Sequence, residues 1–295
     1  QCDYVVLEAG MGGLLDATNV IDTTVLSIFA SISMDHIGVL GNTLEEIAEN
    51  KAGIIKPSCQ AVVTAPQKPS VIRILQEKTE ECGCQIRIAH PEKAKVKREL
   101  MDGQIFSYEE YEDIHLNLIG RYQIDNAVTV LEAVKALNEN GAVIPEDAVR
   151  AGFAKVIWQG RFQVLEREPL MIADGAHNQD AALRLAENVR TYLAGRRIIG
   201  VMGVFKDKEY RKMAEIMAPY LTKVYTIDLP NRERSLAKEE LCKVLEENGV
   251  QAEPAEGIRE ALIAAKADCK RDDVVLSFGS LSYLGDVIRI CRKRK

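Results

Sequence analysis

The sequence predicts an α/β protein built on parallel sheets, and three observations indicate that class. Short apolar runs alternate with amphipathic helical stretches from one end of the 295-residue chain to the other. The runs lack an apolar–polar alternation, which is typical of strands buried on both faces of a parallel sheet. Turns rich in glycine or acidic residues follow several runs, at the strand ends where such sheets place ligand sites.

In the first part of the chain, apolar runs predict strands at residues 4–8, 24–32, 61–65 and 85–89. A capping box of Thr43 and Glu46 predicts that the stretch LEEIAENKAGII begins a helix there. A second helix is predicted from about Ser70 to Cys82, and Gly83 suits its end.

From about residue 95, the sequence pattern is typical of antiparallel strands instead. Asp102-Gly103 separates two β-prone runs and predicts a hairpin with a primed turn. Further β-prone residues follow in IHLNLIG, and helices are predicted over residues 122–138 and from Pro145 to about Val156. The stretch from Trp158 to Arg161 is the candidate linker.

A second alternating series follows the linker. Its predicted strands are residues 170–174, 197–203, 223–227 and 274–278. Helices are predicted to begin near Asn178, Lys208, Ser235 and Glu256. Strands and helices in strict alternation predict a doubly wound α/β sheet.

Composition excludes several classes of protein. The net charge of −6 and the pI of about 5.5 argue against an overall nucleic-acid footprint. No apolar run reaches the length of about 18 residues that a membrane span needs. Seven scattered cysteines favour a reducing compartment over a disulfide scaffold. We therefore expect a cytoplasmic protein with no nucleic-acid or membrane partner. A monomer is a separate expectation.

Glu8 ends the first predicted strand and is followed by Gly10, Gly12 and Gly13. An acidic residue before a glycine-rich turn suits a Mg²⁺ site in a nucleotide enzyme, and the glycines would permit close ligand approach. A tight turn with a solvated glutamate explains the same residues. His36 follows the second strand at the same sheet edge. A histidine at a strand end is more often a hydrogen-bonded structural residue than a ligand, and Mg²⁺ prefers oxygen ligands, so the residue pattern alone does not nominate His36 for the metal.

Two further segments carry candidate chemistry. Lys51 lies on the predicted first helix, where it is either a solvated charge or a partly buried reactive amine. Asp174 and His177 follow a buried strand, where an acid can bind ribose hydroxyls, although turn formation alone also explains them. The turns at residues 203–208 and 278–281 follow other strands and could hold small anions.

Taken together, these segments resemble one family. The matching segments are LEAGMGGLLDATNVI, MDHIGVLGNTLEEIAENKAGIIK, GRYQIDNAVTVLEAV, WQGRF, ADGAHN and FGSL. They stand in the same order as in the folylpolyglutamate synthase/dihydrofolate synthase family, a branch of the Mur-ligase-like ATP-dependent amide ligases. The resemblance covers essentially the whole chain.

The resemblance implies an α/β fold with a partial P-loop, Mur-ligase-like domain followed by a Rossmann-like C-terminal domain, and an active site between them. We place the two domains at residues 1–157 and 158–295. The implied reaction has two steps: ATP phosphorylates a carboxylate of folate or dihydropteroate, and the amine of L-glutamate then displaces phosphate. Mg²⁺ is the implied metal ion.

The resemblance also implies roles residue by residue. Glu8 and His36 match ligands of Mg²⁺, and Lys51 matches a lysine that is carbamylated in the family, which converts a cation into an oxygen anion. Asp16 and Ser280 match positions tied to glutamate handling.

Four further positions match nucleotide and catalytic residues of the family. Asn126, Arg161 and Asp174 match contacts to ATP, with Arg161 as a phosphate clamp. His177 matches an active-site imidazole.

Several departures from the family pattern affect these expectations. Leu14 replaces a usual arginine, and Gln159 and Gln179 replace prolines. The family's P-loop, G-T-N-G-K-G-S, has no counterpart in the sequence. We therefore expect a missing segment on the order of 100 residues, an exposed strand at residues 4–8, and no turnover by these 295 residues alone.

Three alternatives follow from the same residues. A truncated, non-catalytic nucleotide- or glutamate-binding fragment would explain the absence of a P-loop motif. A peptidoglycan Mur ligase would share the histidine and the carbamylated lysine. A nicotinamide dehydrogenase is disfavoured, because the glycine turn lacks the G-x-G-x-x-G fingerprint and its acidic ribose partner.

Overall fold

A computed structural model describes residues 2–34 and 38–292 of the chain. It divides into two compact units. The first unit comprises Gln1–Lys97, Ile105–Leu116 and Tyr122–Lys155, and the second comprises Arg98–Gln104, Asn117–Arg121 and Val156–Lys295. The domain boundary after residue 157 stays a prediction. Within the described residues, no helix has the length and apolar character needed to cross a membrane.

The first unit contains a three-stranded parallel sheet. Its strands are β1 (Leu26–Phe29), β2 (Ala61–Thr64) and β3 (Gln85–Ile88), in the order β1-β2-β3. Two helices, α1 (Leu44–Ala52) and α2 (Pro69–Cys82), pack against each other, and their core includes Ile47, Val62 and Leu75. All five elements confirm the predicted pattern in this part of the chain.

The capping box at the start of α1 is present in altered form. The Thr43 hydroxyl accepts the Glu46 N–H at 3.2 Å, as predicted. The Glu46 carboxylate accepts the N–H of Asn42 at 2.5 Å, one residue before the expected donor. The first bond satisfies an amide that the first turn of a helix leaves without a partner, and the second holds the residue before the N-cap against that turn.

The predicted strand at residues 4–8 is wrong. The segment forms no strand, and the side chains from Tyr4 to Leu7 are exposed. A strand needs a neighbour with which to exchange backbone hydrogen bonds, and β1 pairs only with β2 among the described residues. The apolar pattern indicates a tendency to be buried but does not supply that neighbour.

A second three-stranded sheet and two helices follow. The strands β4 (Lys95–Leu100), β5 (Gly103–Tyr108) and β6 (Tyr111–Leu116) lie in the order β4-β5-β6. The helices are α3 (Arg121–Glu139) and α4 (Glu146–Lys155). The predicted hairpin and both predicted helices are confirmed. The predicted primed turn is wrong: the loop residues Met101 and Asp102 have no positive φ, and Gly103, the first residue of β5, has the positive φ of 128° instead.

The second unit is built on a six-stranded sheet in the order β11-β10-β9-β12-β8-β7. Its strands are β7 (Gln163–Arg167), β8 (Leu170–Ala173), β9 (Ile198–Met202), β10 (Lys223–Thr226), β11 (Gln251–Pro254) and β12 (Val274–Phe278). All pairs are parallel except β7 with β8, which is antiparallel. The four predicted strands are confirmed, and β7 and β11 were not predicted.

Helices cover both faces of this sheet. They are α5 (Gln179–Tyr192), α6 (Tyr210–Met217), α7 (Lys238–Glu247), α8 (Ile258–Ala267) and α9 (Leu284–Arg292). One core cluster holds residues of α5, α6 and α7, and the other holds residues of α8 and α9. This is the predicted doubly wound arrangement, which directs the loops after β8, β9 and β12 to one edge of the sheet.

Candidate functional site

The glycine turn after Glu8 packs tightly on helix α1. Gly13 donates its N–H to the Asn50 side chain at 3.2 Å, and Leu14 donates to the Asn50 carbonyl at 2.9 Å. A Cβ at Gly12 would lie 2.4 Å from Asn50 Oδ1, and one at Gly13 would lie 2.6 Å from the carbonyl oxygen of Lys51. Close approach to a helix therefore accounts for these two glycines, without a ligand.

Lys51 lines a cleft of about 170 Å³ beside this turn. The cleft is lined by Ala9, Gly10, Met11, Gly12, Ser31, Ser33, Leu40 and Lys51. It joins the turn after Glu8 to the segment that follows β1. Among the described residues, the Lys51 side chain has no hydrogen-bond or ion-pair partner. The two serines were not predicted, although their position just after β1 could have indicated them.

Of the two predicted metal ligands, Glu8 lies among the described residues and His36 does not. Glu8 is exposed and lies one residue before the segment that lines the cleft. His36 lies outside the described residues. Over residues 2–34 and 38–292, no group of three or more His, Cys, Asp or Glu side chains is arranged to hold a metal ion. The cleft instead offers serine hydroxyl oxygens and the amine of Lys51.

Asp16 fastens the turn on the far side of the glycines. Its carboxylate accepts the Met11 N–H at 2.9 Å, the Thr18 N–H at 2.9 Å and the Thr18 hydroxyl at 2.7 Å. It thereby caps a 3₁₀ turn at Ala17–Val20. The donated hydrogen bonds, led by that of Met11, lower the pKa of Asp16 to about 2. Its predicted part in glutamate handling stays a prediction.

Asn126 lies half-buried on α3, where its amide donates to Gln123 at 3.1 Å. The helix is held in the first unit by the buried carboxylate of Glu132. That carboxylate accepts the Tyr108 hydroxyl at 2.9 Å and pairs with Arg87 at 3.2 Å. Burial, followed by the bond to Glu132, raises the pKa of the Tyr108 phenol, so the phenol remains a donor.

Asp174 follows β8 in the second unit and is almost wholly buried. One carboxylate oxygen accepts the Phe162 N–H at 2.8 Å, and the other accepts the Ala176 N–H at 2.8 Å. Burial raises the pKa of this carboxyl, and the two amide donors partly oppose that effect. Asp174 therefore joins two loop segments in addition to any contact with a nucleotide.

Arg161 and His177 stand beside the segments that Asp174 joins. The Arg161 guanidinium lies 5.6 Å from the centre of the Trp158 ring and donates to the Gly160 carbonyl at 3.4 Å. His177 Nδ1 is 2.8 Å from the Gly175 carbonyl oxygen. A carbonyl oxygen only accepts, so Nδ1 carries a proton there.

Ser280 is buried in the loop after β12. Its hydroxyl accepts the Ser282 N–H at 3.2 Å, which caps a 3₁₀ turn at Leu281–Tyr283. The preceding Gly279 donates to the Ala176 carbonyl at 3.0 Å. A Cβ at Gly279 would lie 2.5 Å from the carbonyl oxygen of Gly203, which follows β9. Three loops therefore meet at this edge of the sheet, as the topology predicts.

The structure thus brings several of the predicted residues together in two groups, one within each unit. In the first unit, Lys51 meets the turn that follows Glu8. In the second unit, the segments that carry Arg161, Asp174, His177 and Ser280 are joined by backbone hydrogen bonds at one sheet edge. The contact between Trp158 and Arg161 was not predicted, because the WQGRF segment indicated a linker and a role for Arg161 but none for the indole.

Two family models match this chain. The Mur ligase middle domain matches residues 1–134, and the Mur ligase glutamate ligase domain matches residues 160–281. The dihydrofolate synthase/folylpolyglutamate synthase of Bacillus subtilis is 32% identical over 293 residues, which cover 97% of this chain and 67% of that protein. The chain thus spans about two thirds of this relative's length.

Solved structures give the same result. The folylpolyglutamate synthase of Mycobacterium tuberculosis, complexed with ADP and AMPPCP, is 30% identical with a TM-score of 0.84, over 96% of this chain and 67% of that chain. E. coli FolC in complex with DHPP and ADP is 28% identical with a TM-score of 0.80, over 97% of this chain and 66% of that chain.

The low pKa of Asp16 predicts acid sensitivity of the loop it fastens. The ionised carboxylate is favoured in the folded state, so its stabilising effect is complete above the ordinary pKa of 3.8 and is lost as pH falls through about 2. We expect the difference in unfolding midpoint between wild type and Asp16→Asn to shrink between about pH 4 and pH 2. Urea unfolding at a series of pH values measures this.

Thr18→Val provides the matched control for Asp16. It removes one of the donors to the carboxylate, and we expect an NMR titration to show the Asp16 pKa shifted up toward 3.8. An Asp16 carboxyl that titrates near 3.8 in the wild type would contradict this account of the loop.

Removing one acceptor from Asp174 is expected to destabilise the second unit. The amide nitrogen introduced by Asp174→Asn cannot accept, so either the Phe162 or the Ala176 N–H loses its buried partner. We expect a loss of about 1–3 kcal/mol in the free energy of unfolding, measured with denaturant. Asp180→Asn, at an exposed position on α5, serves as control, and equal losses in both variants would refute the prediction.

Proposed function

Because the chain belongs to the dihydrofolate synthase/folylpolyglutamate synthase family, we propose that it contributes to the ATP-dependent ligation of L-glutamate to folate. Ligation to dihydropteroate is the second activity that the family name allows. The observation that carries the proposal is the resemblance to a relative of this family along 97% of the chain. The presence of both a middle and a glutamate ligase domain supports it.

The proposed reaction passes through an acyl phosphate. A carboxylate oxygen of the pterin substrate attacks the γ-phosphorus of ATP, and ADP leaves. The amine of glutamate then attacks the acyl carbon, an amide bond forms, and inorganic phosphate leaves with the acyl oxygen. Fixed cations that offset the phosphate charge lower the barrier of both steps.

We assign the nucleotide and its phosphates to three residues, and His177 to the reacting centre. Arg161 donates N–H groups to phosphate oxygens, and Asn126 and Asp174 contact the nucleotide. His177 stays at the reacting centre, with Nδ1 held as a donor to the Gly175 carbonyl. The ADP-bound structures of two relatives support nucleotide binding.

Glutamate and the metal ion are assigned to the remaining positions. Asp16 and Ser280 orient glutamate. Glu8, His36 and a carbamate on Lys51 would hold Mg²⁺, which supplies charge compensation for the phosphates when bound. The donor chemistry fits: the Lys51 amine, which has no partner among the described residues, lines a cleft with two serines, and a carbamate adds the oxygen anion that Mg²⁺ prefers.

A ligation assay tests the proposed function. The protein is incubated with ATP, Mg²⁺, labelled L-glutamate and, in separate arms, a reduced folate, dihydropteroate or a UDP-muramoyl substrate. Labelled product in a pterin arm supports the proposal, and product in the UDP-muramoyl arm alone would favour a peptidoglycan Mur ligase. The predicted inactivity of the 295 residues alone is measured by the same assay.

Calorimetry with ADP runs in parallel with the ligation assay. Binding of ADP without turnover is the result that we predict for these 295 residues. Turnover would refute the predicted inactivity. If neither binding nor turnover is found, the proposed roles of Asn126, Arg161 and Asp174 are wrong.

The carbamate on Lys51 has its own spectroscopic test. In buffer with ¹³C-labelled bicarbonate, we expect a carbamate carbon signal from the wild type that is lost in Lys51→Arg. Lys56→Arg is the matched control, because Lys56 lies close by but already donates to the Asn19 carbonyl at 3.4 Å. A signal that survives Lys51→Arg would place the modification elsewhere and contradict the assignment.

A further inference from the structure

The guanidinium of Arg161 is half-buried, and among the described residues it forms no hydrogen bond or ion pair with a carboxylate. The charge of Arg161 favours the ionised form of the Asp174 carboxyl, but each oxygen of that carboxylate already accepts a backbone N–H. Within the described residues, the guanidinium makes one long hydrogen bond, at 3.4 Å to the Gly160 carbonyl, and no ion pair. Since a guanidinium carries five N–H donors, most of them are open to an added anion.

Trp158 supplies the contact that holds this cation in place. The centre of its ring lies 5.6 Å from the guanidinium carbon, within the range of a cation–π interaction. Such an interaction uses the face of the guanidinium and leaves the N–H groups at its edge unused. An acidic partner would instead neutralise the charge and occupy the donors.

Two glycines make the contact between these side chains possible. Gly160 has a φ of +72°, which turns the chain between Trp158 and Arg161. At Gly175, a Cβ would lie 2.6 Å from Nη1 of Arg161, so the guanidinium rests where any larger residue would displace it. The indole covers one side of the cation, and the backbone of residue 175 lies on another.

We propose that Trp158 is a positioning residue for Arg161: its ring holds the guanidinium by a cation–π contact and leaves the N–H edge free for a phosphate group. The proposal deepens the proposed function and rests on the phosphate role of Arg161. It also explains why an indole 46% exposed to solvent stands beside this arginine instead of an acidic residue. The ligand chemistry is that of a nucleoside diphosphate or triphosphate.

Calorimetric binding of ADP tests the proposal on purified protein. We expect Trp158→Leu to weaken ADP binding by about three- to tenfold, the loss of one partly exposed cation–π contact. Trp158→Phe keeps an aromatic face, so its affinity should lie between those of the wild type and Trp158→Leu. Tyr210→Leu is the matched control. The guanidinium of Arg211 lies 5.8 Å from the centre of the Tyr210 ring, so this variant removes a similar contact between a cation and an aromatic ring on another element, α6. We expect it to leave the affinity for ADP unchanged.

A double-mutant cycle separates positioning from direct ligand contact. In an Arg161→Leu background, Trp158→Leu should cause no further loss, because Trp158 acts through the arginine. An equal loss in both backgrounds would mean that the indole contacts the ligand itself, and the proposal would be overturned. Unchanged affinity in Trp158→Leu would overturn it as well.

Trp158 is the only tryptophan of the chain, so its fluorescence emission reports the contact with Arg161 while the indole itself stays unchanged. We expect Arg161→Leu to change the emission of the free protein and ADP to change that of the wild type. Unaltered emission in Arg161→Leu would refute the contact. ADP binding that is unaffected by Arg161→Leu would instead refute the phosphate role of Arg161, which belongs to the proposed function.

Discussion

Asp174 stands at the end of a fully buried strand and accepts one backbone N–H from residue 162 and one from residue 176. These two bonds fasten the segment after the linker to the turn after β8, and a 2.7 Å bond from the Gly175 N–H to the Gly160 carbonyl adds to them. Arg161 and His177 each flank a fastened position. Their placement therefore follows from a carboxylate that is itself withdrawn from solvent.

The first unit uses the same device with different groups. The Asn50 side chain and carbonyl receive the N–H groups of residues 13 and 14, which fixes the glycine turn against α1. Lys51 is the next residue of the helix and opens into the cleft that the turn helps to form. In both units, a group bound to backbone amides stands beside a residue to which we assign a role in the reaction, and these hydrogen bonds hold its backbone in place.

The sequence predicted the buried elements well, since an uninterrupted apolar run such as that of β8 or β12 has few alternatives to a buried strand. It did not predict β7 or β11, because their polar and half-exposed residues carry no such pattern. It predicted a strand at residues 4–8, because apolarity does not reveal whether a neighbouring strand is present.

At the site, the positions of Asp174, His177 and Ser280 just after parallel strands predicted that they lie at one edge of the sheet. These positions could not show whether a side chain caps a turn or contacts a ligand. The hydrogen bonds of Asp16, Asp174 and Ser280 to backbone amides depend on loop geometry, and no pattern in the sequence specifies that geometry. The contact of Trp158 with Arg161 depends on the positive φ of Gly160, which a single glycine in a motif does not reveal.

The two outer strands of the six-stranded sheet have a consequence for association between copies. β11 has only four residues and ends in Pro254, which has no N–H to donate to a further strand. β7 runs antiparallel with an irregular register between Val164 and Glu166, and Glu166 is engaged by Lys266 at 2.6 Å. Neither border offers a long, flat row of free amides. The sheet is therefore poorly suited to intermolecular strand addition, the first step of aggregation for many exposed β-sheets.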